Sequence, residues 1–228
     1  MRCLHTSPPC PNLRLLSGID VGQLFIALLV LLFSLTIHEM AHAWTADRLG
    51  DPTARLLGRV SINPLVHIDP IGTVLFPLLA AVSHVPLIGW AKPVPVRVGN
   101  LRHRRRDYML VAAAGPASNL VLATIASIAL RMMPISPGNI ANLDLSGPVA
   151  VLAMRAIEIN VLLAVFNMIP IPPLDGGNVL AGVLPGRFAV GFDALRPYGF
   201  LLIYALMLTG MLAMFVGPPY YFLLSWLR

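Results

Sequence analysis

The chain has 228 residues, of which 57% are hydrophobic and 11% charged, against about 25% charged in ordinary soluble domains, and its mean hydropathy is +0.78. This composition excludes a soluble single domain and a disordered tail protein. The net charge of +6 therefore calls for a membrane explanation first, and no nucleic-acid partner is expected.

In chain order, residues 1–18 form a Pro-rich leader without periodicity, expected to be flexible. Its Cys3 and Cys10 are the only cysteines and read as free thiols. The leader lacks a convincing small-residue cleavage site and is not read as a signal peptide. Residues 19–228 read as one integral-membrane domain. A first span is expected over 21–45, where the only ionisable side chains are His38, Glu39 and His42. In the following loop Arg48, Arg55 and Arg59 balance Asp47, Asp51 and Asp69. The apolar run 71–88 contains Pro77 and Pro86. The loop after it carries Lys92, Arg97, Arg102, Arg104, Arg105 and Arg106 against Asp107, an excess that places it on the cytoplasmic side.

Further spans are expected over 108–131, 148–171 and 198–216. In the second of these, Arg155 and Glu158 lie three apart on a helix and can pair near an interface. Gly217-Pro218-Pro219 closes the last. The fold expected is thus an all-α polytopic membrane protein with about four transmembrane helices, a re-entrant or membrane-dipping segment, and short cytoplasmic-side strands. The alternating stretch Val94–Val98, or Arg59–Ile62, is the candidate strand.

The chemistry lies in His38-Glu39-Met40-Ala41-His42. Residues i and i+4 share a helix face, so both imidazoles can address one metal, and Glu39 lies one position round, within reach of a water there. Glu39 and Glu158 are the only glutamates and there are six histidines, so the pattern is improbable by chance. Ionisable groups inside a membrane are expensive and usually functional. A zinc hydrolase needs a third protein ligand and a carboxylate to take the proton of water. Among the acidic residues only Asp175 sits in an apolar setting with unusual backbone, Pro170-Ile171-Pro172-Pro173-Leu174-Asp175-Gly176-Gly177. The alternative reading makes Asp175 the N-cap of a helix over 177–184. His67, in a polar loop, reads as a residue behind the ligands or a structural one.

The sequence resembles the site-2 protease family of intramembrane zinc metalloproteases, in the compact branch without a PDZ domain. The resemblance rests on HEMAH (38–42), GPASN (115–119), FNMIPIPPLDGG (166–177), NPLVHIDPIGT (63–73) and GWAKPVPV (89–96). It implies that His38, His42 and Asp175 bind one Zn2+ and that Glu39 is the general base. Asn119 and Asn167 match family positions that the resemblance implies support the ligands or position substrate. The substrates implied are membrane proteins with a transmembrane helix, pre-cleaved by another protease, in the plasma membrane of a prokaryote. A zinc- or proton-coupled transporter and a catalytically inactive scaffold of the same fold are the competing readings. For His42 and Asp175 to meet on the cytoplasmic side, the segment 71–88 must not cross.

Overall fold

A computed structural model describes residues 21–83, 90–133 and 147–228; the leader, with Cys3 and Cys10, lies outside them. The described residues are helical and contain no strand. Helix α1 runs Val21–Arg48, and Gly50, in the left-handed region (φ 114), turns the chain after it. A single turn α2, Thr53–Leu56, follows.

Asp69 and Pro70 start the next helical segment. The Asp69 carboxylate accepts from Ile71 N and Gly72 N, both at 3.0 Å, and Pro70 occupies the first position, where no amide hydrogen is needed. A π-helical stretch Pro70–Leu75 passes directly into α3, Phe76–Ser83. Pro77 lies inside this continuous segment without ending it, and Gly72 O, five residues before it, accepts Trp90 N instead. At 1.5 Å per residue the described part reaches about 20 Å, short of a hydrocarbon core of about 30 Å.

Helix α4 spans Arg104–Arg131 and begins four residues before the expected span, with Asp107 in its first turn. Helix α5 spans Pro148–Asn167. It stops short of the expected 171 because Pro170 biases its predecessor away from helical backbone. Then come α6, Asp175–Val183, and α7, Gly186–Asp193. The expected span 198–216 is interrupted. Helix α8 ends at Leu208, Gly210 is left-handed (φ 74), and α9 runs Met211–Leu227 straight through Pro218 and Pro219. Glycine sets the break because its backbone has no Cβ penalty there.

Among the described residues four stretches are long and apolar enough to cross a membrane: Gly22–Arg48, Arg104–Arg131, Pro148–Asn167 and Gly186–Leu208. The chain is an integral membrane protein, and its burial is arranged accordingly. Phe25, Phe33, Ile125, Leu201 and Phe222 face outward, whereas Ser34, Thr36, His38, His42, Asn119 and Asn160 are buried. Helix α4 packs against α1, α5 and α6. Small residues Ala123, Ala150 and Ala153 in the α4–α5–α9 core let these backbones approach closely. Arg155 pairs with Glu158 at 2.9 Å as the spacing predicts, and Arg228 joins the same carboxylate.

The segment 90–97 is extended. Its backbone is tied to the rest of the chain by Trp90 N to Gly72 O (3.1 Å) and Lys92 N to His67 O (2.9 Å), and by Arg97 N to the Asp51 carboxylate (2.6 Å). Trp90 covers Gly72, where a Cβ would lie 2.5 Å from the indole.

Candidate metal centre

Helix α1 places His38 and His42 one turn apart, and both are buried. Their rings meet edge to face, with centroids 4.6 Å apart, and their Nε2 atoms lie 3.0 Å apart. Asp175 completes the group from α6. Its carboxylate oxygen lies 3.1 Å from His38 Nε2 and 3.4 Å from His42 Nε2. The N-cap reading of Asp175 does not hold: Leu174 is the N-cap, Asp175 is the first helical residue, and no side chain caps the helix.

The far nitrogens are engaged. His42 Nδ1 donates to Val111 O at 2.7 Å, and His38 Nδ1 to Asn119 Oδ1 at 2.7 Å. With both Nδ1 atoms protonated, each neutral ring turns an Nε2 lone pair toward the other and toward the carboxylate. Three acceptors at such distances repel unless a cation lies among them, so the residues present fit a metal ion. Two imidazole nitrogens and a carboxylate oxygen are a zinc ligand set, and these three side chains are a group able to hold a metal among the described residues.

Gly115 of α4 makes room for this group. A Cβ there would lie 2.4 Å from His42 Nε2 and 2.6 Å from His38 Nε2. The loop carrying Asp175 depends on similar close approaches. A Cβ on Gly176 would meet Met168 O at 2.2 Å, and one on Gly177 would meet Pro172 N at 2.6 Å. The two glycines therefore let α6 pack on its own preceding loop.

Glu39 is partly buried and its Oε2 accepts the backbone N–H of Val94 at 3.1 Å. The other predicted residues lie apart from the three-residue group. His67 is buried with Nε2 at 3.0 Å from Ser61 O, and its own carbonyl anchors Lys92. Asn167, the last residue of α5, donates through Nδ2 to Leu163 O at 2.9 Å. Asp51, not singled out from the sequence, is buried and accepts from Thr53, Arg97 and Asn100. Val111 O and Val94 N–H, also missed, are backbone atoms that no residue type announces.

The chain is similar to known proteins over most of its length. The profile described as peptidase family M50 matches residues 26–137 and 132–208. YwhC of Bacillus subtilis, whose name describes a zinc metalloprotease, is 35% identical over 181 residues, covering 79% of each chain. Rip2 of Mycolicibacterium smegmatis, with a name of the same kind, is 30% identical over 190 residues, covering 83% of this chain and 69% of its own. No solved structure matches. The transporter reading is not favoured. The chain belongs to peptidase family M50, the site-2 protease family of intramembrane zinc metalloproteases.

Proposed function

We propose that His38, His42 and Asp175 hold the zinc, that Glu39 is the general base, and that the chain hydrolyses peptide bonds within or near transmembrane segments of membrane proteins already trimmed by another protease. The observation that carries this reading is the convergence of His38 Nε2, His42 Nε2 and the Asp175 carboxylate within 3.4 Å, from helices far apart in sequence.

Zinc supplies Lewis acidity that acidifies a water and polarises the scissile carbonyl. The protein supplies the rest. Glu39 accepts a proton from the attacking water and delivers it to the amide nitrogen as the C–N bond breaks, so the carboxylate is regenerated. The buried surround keeps bulk water from the imidazoles. A substrate helix hides its carbonyls in its own hydrogen bonds, so the cleaved stretch must unwind. The segment 94–97 is the edge on which such a stretch would pair. The basic residues Arg102, Arg104, Arg105 and Arg106 around the start of α4 support a cytoplasmic site in a plasma membrane.

The test is zinc content and cleavage in detergent-purified protein. Wild type should hold about one zinc per chain, Asp175→Ala should lose it, and Glu39→Gln should keep it while cleavage of a single-span substrate falls by orders of magnitude. Equal zinc in wild type and Asp175→Ala would remove Asp175 from the site, and normal cleavage by Glu39→Gln would remove the base.

A further inference from the structure

The hydrogen bonds behind His38 run in one direction. Asn160 on α5 donates through Nδ2 to Ala156 O at 2.8 Å. A backbone carbonyl only accepts, so the orientation of this amide is settled by its neighbour. Its Oδ1 therefore faces α4, where Asn119 Nδ2 donates to it at 2.9 Å. Asn119 must then present its own Oδ1 to His38 Nδ1, 2.7 Å away. Its amide nitrogen also lies 3.5 Å from Ser34 O. An amide oxygen only accepts, so the ring proton of His38 is held on Nδ1 and the Nε2 lone pair turns toward His42 and Asp175. Asn119 is 0% exposed and Asn160 2% exposed, so no solvent competes for these bonds.

We propose that Asn160 is a positioning residue for the metal, acting on His38 through Asn119. The inference rests on the zinc reading above. His42 obtains the same tautomer from one backbone carbonyl, Val111 O. His38 has a side-chain amide in that place, and an amide can flip. A flipped Asn119 would offer Nδ2 to His38 Nδ1, shift the ring proton to Nε2, and aim a hydrogen at the metal position. Asn160 closes off that flip. The competing role is plain glue between α4 and α5, since side-chain amides often join membrane helices. Glue would affect stability without acting on zinc through Asn119.

The experiment is zinc affinity of the full chain in detergent, by competition with a chromogenic chelator, beside melting of the metal-free protein. Outer-shell partners of ligating histidines are worth about 10–100-fold in metal affinity. Asn160→Leu should weaken zinc binding by about that factor, and Asn119→Ala likewise. The double variant should lose no more than Asn119→Ala alone, because one residue works through the other. Asn160→Asp keeps an oxygen facing Asn119 and should stay closer to wild type than Asn160→Leu in zinc affinity, even where melting falls. If Asn160→Leu does not fold, Asn160→Ala, which adds no bulk, must show the same weakening. Wild-type zinc affinity in the folded Asn160 variants, or losses that add in the double variant, would overturn the inference while leaving the zinc site intact. A wild type that binds no zinc would overturn both.

Discussion

At Gly115 the missing side chain is what matters. A Cβ there would occupy the space where His38 Nε2 and His42 Nε2 meet. Gly115→Ala should therefore fold, since alanine suits a helix interior better than glycine, yet displace the imidazoles and weaken zinc binding by roughly tenfold or more, on the scale of a disturbed ligand shell. Gly99→Ala, with nothing within 4 Å of the new carbon, is the matched control. Equal zinc in the two variants would show that the imidazoles tolerate the methyl. At this scale the sequence was legible where chemistry is written in side chains. The i, i+4 histidines and the one carboxylate among prolines and glycines were found from residue type and spacing. Gly115 enters there only within GPASN, and its role is not legible, because a glycine signals only room, and room for what is visible only once α1 and α4 are packed.

Among the elements, the extended segment 90–97 differs most from its sequence reading. The alternation of Val94, Val96 and Val98 suggested a strand, but the segment pairs with no strand among the described residues, and Val98–Asn100 closes it with a tight turn. Its inward amides at Trp90, Lys92 and Val94 are already bonded, and Pro93 and Pro95 have none. Among the described residues Val96 N–H, in the stretch that follows the Glu39 contact, has no partner and is a donor left for an incoming chain. Val96→Pro should keep zinc and fold, since that N–H makes no bond among the described residues, and should slow cleavage by about 2–10-fold, the worth of one backbone hydrogen bond. Unchanged cleavage by Val96→Pro in a zinc-loaded preparation would take the segment out of substrate pairing. The last helices were misread for a related reason. Gly217-Pro218-Pro219 looked like the stronger breaker, but tertiary packing carries α9 through both prolines, and the break falls at Gly210, where the left-handed backbone (φ 74) needs a glycine.

For the whole molecule, the question is which loops share a side of the bilayer. The loop after α1 and the loop before α4 are bonded directly, through Lys92 N to His67 O, Arg102 N to Leu49 O, and Arg97 N to Asp51. These bonds support a segment 70–83 that dips in and returns, as the shared site of α1 and α6 requires. Ile62→Cys and Gly99→Cys, in a background with Cys3 and Cys10 replaced by serine, should both react with a membrane-impermeant thiol reagent from the same side of oriented vesicles. Labelling from opposite sides would mean that the segment crosses. The charges leave this open, because the loop 47–69 balances to zero; the long-range bonds that bear on it join residues too distant in sequence for any local pattern to reveal.

The Val94 contact also limits what Glu39 can do. One carboxylate oxygen, Oε2, accepts the backbone amide of Val94, and Oε1 has no partner among the described residues. In the proposed mechanism Oε1 is then the freer oxygen to take the proton of water and to return it to the departing nitrogen. By fixing how the carboxylate is turned, the amide of Val94 would set the direction from which that proton arrives and leaves.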